Sequence, residues 1–193
     1  MLSVNDLKPA DLLLSTGRAA ASVVIRVGTV SRYSHAALYI GNSQIIEAIG
    51  SGVTLQSLQD AMSDDTLVSV YRRLQMSDGQ GEQVIRYAKQ QLGKKYDYSG
   101  AVGGGVTSGP GFVFGIFLGR IVPIIGGIVA IGGIGADLYN RYNPESSFYC
   151  SELIAIAFEK AAVPLGSGAA STTPSDISKS HVLNYVGDLK KIK

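Results

Sequence analysis

Leu153, Ile154, Ala157, Phe158 and Ala161 stand 3, 4, 7, 8 and 11 positions after Cys150, the spacing of a helix with one broad apolar face. Such a face has to be covered, so the chain must supply a second layer for this helix to dock on. Ser146 or Ser147 can act as N-cap, which sets the thiol in the first turn, where unpaired backbone N–H groups and the helix dipole favour an anion. A thiolate is favoured there, and the thiolate is the nucleophilic form of cysteine. The plainer reading makes Cys150 a small core hydrophobe. A partner base is what separates the two.

The base is sought along the chain. Leu7 to Leu14 reads as a turn followed by a short buried strand, and Gly17 to Val27 has the alanine and aliphatic content of a helix. Ser34 to Ala48 contains two short apolar strands around Gly41-Asn42, a hairpin signal with His35 near the start of its first strand. Register then decides the role of Glu47. A two-residue loop pairs residues summing to about 83 and sends Glu47 to the face away from His35, whereas a three-residue loop, Gly41 to Ser43, pairs residues summing to about 84. In that register Glu47 lies opposite Ala37, diagonal to His35 and on its face. The odd-length loop is expected, because Glu47 in an otherwise apolar strand needs a partner for its carboxylate; the alternative is a strand-end glutamate in solvent. Thiol, imidazole and carboxylate together supply nucleophile, base and orienting group for covalent catalysis.

These features resemble the permuted papain-like amidases of the NlpC-type cysteine hydrolase superfamily, in which the histidine strand precedes the cysteine helix. The resemblance is carried by Lys8-Pro9-Ala10-Asp11-Leu12, Ser34-His35, Ile46-Glu47-Ala48, Gly93-Lys94-Lys95-Tyr96-Asp97-Tyr98, Tyr149-Cys150-Ser151-Glu152-Leu153 and Thr173-Pro174-Ser175-Asp176. It implies Cys150 as nucleophile, His35 as general base and Glu47 as the third polar residue. One departure is Ala10, where such proteins commonly have glycine. The implied substrates are peptide bonds of cell-wall stem peptides, other amides and lipid acyl esters, and some relatives are antibacterial toxins delivered by type VI secretion.

The remaining elements read as scaffold. Gly52 to Met62 is a short strand and helix, Leu67 to Arg72 a strand, and Glu82 to Leu92 a helix with Val84, Ile85, Ala88 and Leu92 on one face, closed by Gly93. Thr173 to Asp176 suits a helix start, and Val182 to Val186 a last strand. His181 is a rival base without an acidic companion, and reads as structural. Tyr33, Tyr96 and Tyr149 are candidate walls of a substrate groove, with a turn closed by Asp97 as the plainer reading near Tyr96.

Ala101 to Ala136 holds 12 of the chain's 24 glycines and one charge, Arg120. Gly111, Gly115 and Gly119 would give one smooth helix face, while Arg120, Pro123 and paired glycines weaken a lipid-facing span. An apolar hairpin packed on the hydrolase, a membrane-inserting segment and a lid all remain open.

The expected fold is α+β: one domain over 1–193, with an antiparallel sheet of about five strands against the Cys150 helix and a glycine-rich insertion at 101–136. A formal net charge of +2 gives no basic stripe for nucleic acid. One cysteine excludes an internal disulfide. No metal or other cofactor is expected, since no Cys/His cluster has ligand spacing. The N-terminus lacks the pattern of a cleavable signal peptide. The expected activity is cysteine-dependent cleavage of amide bonds, with the Cys150 backbone N–H as oxyanion donor. Peptidoglycan stem peptides are the leading substrate, and a secreted effector acting in a target-cell periplasm the leading context. A lipid ester or thioester hydrolase and a membrane-inserting toxin using 101–136 are the alternatives. An immunity protein and a secretion carrier would then be partners, with membrane contact through 101–136.

Overall fold

Leu12, Leu13 and Leu14 are all buried because successive strand side chains face opposite sides of a sheet that is covered on both. The computed structural model describes residues 1–17, 32–63, 65–97, 147–166, 168–169 and 172–190. The helix expected over Gly17 to Val27, Tyr98 and the whole 101–136 segment lie outside these residues, apart from Gly17 itself, which ends a strand.

The elements run β1 (Leu12–Gly17), β2 (His35–Gly41), β3 (Gln44–Ile49), β4 (Gly52–Ser57), α1 (Leu58–Met62), β5 (Asp65–Arg73), α2 (Asp78–Gln90), β6 (Lys95–Tyr96), β7 (Ser147–Phe148), α3 (Cys150–Lys160), α4 (Pro174–Lys179) and β8 (Leu183–Asp188). Among the described residues six strands form a sheet in the order β4-β3-β2-β1-β5-β8, every pair antiparallel. This is one more than the five expected. β6 and β7 form a separate parallel pair.

One sheet face carries Leu12, Leu14, Ala36, Leu38, Ile46 and Ala48 and packs against α2 and α3 through Val84, Ala88, Leu153, Ile154, Ala157 and Phe158. Full burial of side chains such as Leu153, Ile154 and Phe158 is worth about 2 kcal/mol each. The other face carries Leu13, Ala37, Tyr39, Ile45, Val68 and Val70 under Leu58 and Met62 of α1.

The start of α2 and the cap of α3 differ from expectation. α2 starts at Asp78, four residues before Glu82, because Ser77 and Gln80 form a reciprocal cap: Gln80 N–H donates to Ser77 Oγ at 3.3 Å and Ser77 N–H to Gln80 Oε1 at 3.1 Å. Gly79 and Gly81 hide this start from propensity. Leu92 falls beyond the helix and is exposed. α3 is not capped by a serine. Ser147 is committed to β7, Tyr149 occupies the N-cap in extended conformation, and Glu152 accepts the Tyr149 N–H at 3.3 Å. Ser146 lies outside the described residues. The Thr173 start of α4 is as expected, with Asp176 N–H donating to the Thr173 hydroxyl at 3.2 Å.

The turn before β1 explains the alanine that departs from the resemblance. Ala10 has φ 69° and is buried, so it sits in the left-handed region that favours glycine. Backbone hydrogen bonds stitch the turn to β2: Ala10 N–H to Tyr39 O at 2.8 Å, and Tyr39 N–H to Asp11 O at 2.9 Å. Asp11 is buried beside it and accepts from Arg72 Nε at 2.7 Å, Arg72 Nη2 at 2.8 Å and the Lys8 N–H at 2.7 Å. The bidentate guanidinium leaves the buried carboxylate fully partnered.

Candidate active site

The hairpin that carries the imidazole is built by a turn and a bulge together. Asn42 and Ser43 both have positive φ, 52° and 55°, as in the two-residue turn whose twist matches the strands. Gly41, at φ 94°, pairs Gln44, and the register shifts between Tyr39 and Gly41. Beyond that bulge Tyr39 pairs Ile45 and Leu38 pairs Ile46, which is the expected register of 84. The extra residue is taken up in the strand rather than in the turn.

The β2–β3 ladder stops at Leu38–Ile46, whereas β1 stays paired with β2 to His35 and β4 stays paired with β3 to Ile49. The two strands therefore part where His35 and Glu47 stand. The N-terminus of α3 reaches this gap. There the Cys150 sulfur accepts hydrogen bonds from the backbone N–H groups of Ala36 and Ser151, and it is hydrogen-bonded to the His35 side chain. His35 Nε2 lies 2.5 Å from Glu47 Oε2. With Nε2 engaged, Nδ1 is the ring nitrogen left for the sulfur.

Cys150 is 5% exposed and Glu47 is 5% exposed, while the His35 side chain keeps 25%. Burial opposes charge on the imidazole, but the adjacent sulfur and then the hydrogen bond and charge of Glu47 outweigh it and raise its pKa well above the ordinary 6.5. Burial likewise opposes the thiolate. The His35 charge and hydrogen bond, with the two backbone donors, outweigh it and lower the thiol pKa. Both directions favour the thiolate–imidazolium form of the pair. Cys150 is also the first helical residue, so its own N–H has no intrahelical acceptor.

The tyrosines divide differently from expectation. Tyr33 and Tyr149 are 2% and 3% exposed, and Tyr33 lies in the apolar cluster under α3. Tyr149 is hemmed in by carboxylates: burial first, then Glu152, Cys150, Asp97 and Asp176, raise its pKa and keep the phenol neutral. Tyr96 remains half-buried in β6. Asp97 is buried, and its N–H donates to Phe148 O at 2.9 Å. His181 is exposed and is not among the groups acting on Cys150. Among the described residues no group of three or more His, Cys, Asp and Glu side chains could hold a metal ion.

Two features escaped the sequence. The Ala36 N–H is exposed to the sulfur by the parting of β2 from β3, which no side-chain pattern signals. Ser151, fully buried, donates its hydroxyl to Thr172 O at 2.6 Å and so ties the start of α3 to the loop before α4.

Residues 6–101 match the model of the permuted papain-like amidase enzymes, the YaeF/YiiX or C92 family. The chain belongs to that family. The matched stretch contains His35 and Glu47 but ends before Cys150, so it is the folded chain that brings the thiol to them. Over 101 residues the sequence is 34% identical to the probable lipoprotein peptidase YaeF of Escherichia coli strain K12. That alignment covers 52% of this chain and 37% of YaeF, well under two thirds of the relative. The crystal structure of the metalloprotein yiiX from Escherichia coli O157:H7 has the same fold, with a TM-score of 0.61 over 93% of this chain and 96% of that one at 17% identity.

Proposed function

We propose that this permuted papain-like protein is a cysteine hydrolase of amide bonds, with Cys150 as nucleophile, His35 as general acid and base, and Glu47 as the group that orients the imidazole. The observation that carries the reading is the placement of His35 between a buried sulfur and a buried carboxylate. The thiolate adds to the carbonyl carbon, and the oxyanion is met by the Cys150 N–H. Imidazolium gives its proton to the leaving amine as the C–N bond breaks. Water, deprotonated by His35, then cleaves the thioester and restores the thiol pair. Glu47 holds the tautomer and favours the charged ring.

The finer assignment is to stem peptides of peptidoglycan, in the setting of a secreted antibacterial effector with an immunity partner. Family membership supports the amide bond, and the peptidase name of YaeF supports a peptide; the cell-wall substrate and the effector setting rest on the resemblance. Purified protein incubated separately with sacculi and with phospholipid vesicles, followed by mass spectrometry, tests it. New peptide termini from sacculi, absent with Cys150→Ala, are expected. Lipid products with intact sacculi would replace the substrate, and full activity of Cys150→Ala would remove the mechanism.

A further inference from the structure

Three residues before His35, the exposed Arg32 lays its guanidinium over the Tyr33 ring, 5.6 Å from its centroid. Tyr33 meets Tyr71 edge-on, with centroids 6.2 Å apart and a hydroxyl–hydroxyl hydrogen bond of 3.1 Å. Tyr71 in turn packs at 5.6 Å on Tyr185, its cross-strand partner on β8, which is half exposed. The charge of Arg32 reaches both Tyr71 and Tyr185. Asp188, the acid beside Tyr185, is already engaged, accepting from Ser69 Oγ at 2.6 Å and from the Tyr185 hydroxyl. Arg32 has no carboxylate partner among the described residues. Its backbone is fixed, since the Thr16 hydroxyl donates to Arg32 O and the Ser34 N–H to Ser15 O at 2.9 Å.

A guanidinium held on an aromatic face keeps its edge donors for a planar anion. Three residues of extended chain span at most about 10 Å, so the Arg32 backbone lies no farther than that from the His35 backbone. It flanks the α3 side of the sheet, where Tyr33 and Tyr71 pack. We propose that Arg32, laid on the Tyr33 ring that Tyr71 and Tyr185 buttress, is the specificity subsite that receives a carboxylate of the amide substrate. The subsite deepens the hydrolase reading and rests on it for its substrate.

The test uses the single cysteine and does not depend on turnover. Chloroacetyl-capped glycine peptides of one to three residues, each ending in a carboxylate or a carboxamide, alkylate Cys150 by displacement of chloride, forming a thioether. At one length the carboxylate reagent is expected to react about tenfold faster than its carboxamide twin, the scale of one charge-assisted contact. Arg32→Gln should bring that ratio close to one, and Arg32→Lys should restore part of it. Equal rates for each pair in the native protein, or a preference that survives Arg32→Gln, would overturn the subsite. A preference seen together with no hydrolysis of any amide would retain the subsite and sink the hydrolase reading instead.

Discussion

At the residue scale the chemistry depends on how Glu47 and Cys150 divide the imidazole. Because Glu47 helps to raise the His35 pKa, Glu47→Gln should lower it. The charged pair exists above the thiol pKa and below the imidazole pKa, so the alkaline limb of activity should move to lower pH. A fall in kcat of about 10²-fold is expected from the lost orientation. The pH profile separates this from mere loss of fold, which would lower activity without moving the limb. Glu47 was legible in the sequence because a carboxylate inside the apolar run Ile45 to Ile49 needs a partner, and the odd-length register set it on the face of His35. The burial of Tyr33 and Tyr149 was not legible, because flanking a reactive residue says nothing about which way a ring points.

At the element scale, turn and cap chemistry set the frame. Gly52, at φ 114°, begins β4 where a Cβ would stand 2.4 Å from Lys94 O. The same carbonyl accepts the Val53 N–H at 2.8 Å, joining β4 to the chain after α2. Gly52→Ala should therefore cost about 2 kcal/mol or more in urea denaturation, since strain and clash add. Asp11→Ala removes the acceptor of Arg72 and of the Lys8 N–H. About 2 kcal/mol is expected, at or below the range for broken buried pairs, because Arg72 is partly solvated. The hairpin and its register were readable from the Gly-Asn signal and the apolar alternation. Its bulge was not, since either a longer turn or an irregular strand absorbs the extra residue. The true start of α2 was masked by Gly79 and Gly81, and the serine expected to cap α3 was already used by β7.

At the scale of the whole molecule, the order of the chain and its arrangement in space part company. The sheet alternation and the α3 face predicted an α+β fold, and the histidine-before-cysteine order carried the family resemblance. What the chain does between Asp97 and Ser147 was beyond pattern reading, since composition alone left three structures open for 101–136. The described residues that flank it are adjacent: β6 pairs with β7, and Asp97 N–H reaches Phe148 O. Loop length costs little between fixed ends. Replacing 101–136 with a short Gly/Ser linker should therefore preserve cooperative unfolding and the reactivity of Cys150. Loss of both would make the segment part of the fold itself.

The thiolate–imidazolium pair is tested most directly by the pH dependence of iodoacetamide alkylation at Cys150, the only cysteine in the chain. In the native protein the rate should rise at a pH well below about 8.5, where a free thiol titrates. In His35→Ala the onset should move upward, because burial then acts on the thiol without the imidazole to oppose it. Coincident onsets in the two proteins, or a native onset at or above that of a free thiol, would contradict the pairing of Cys150 with His35.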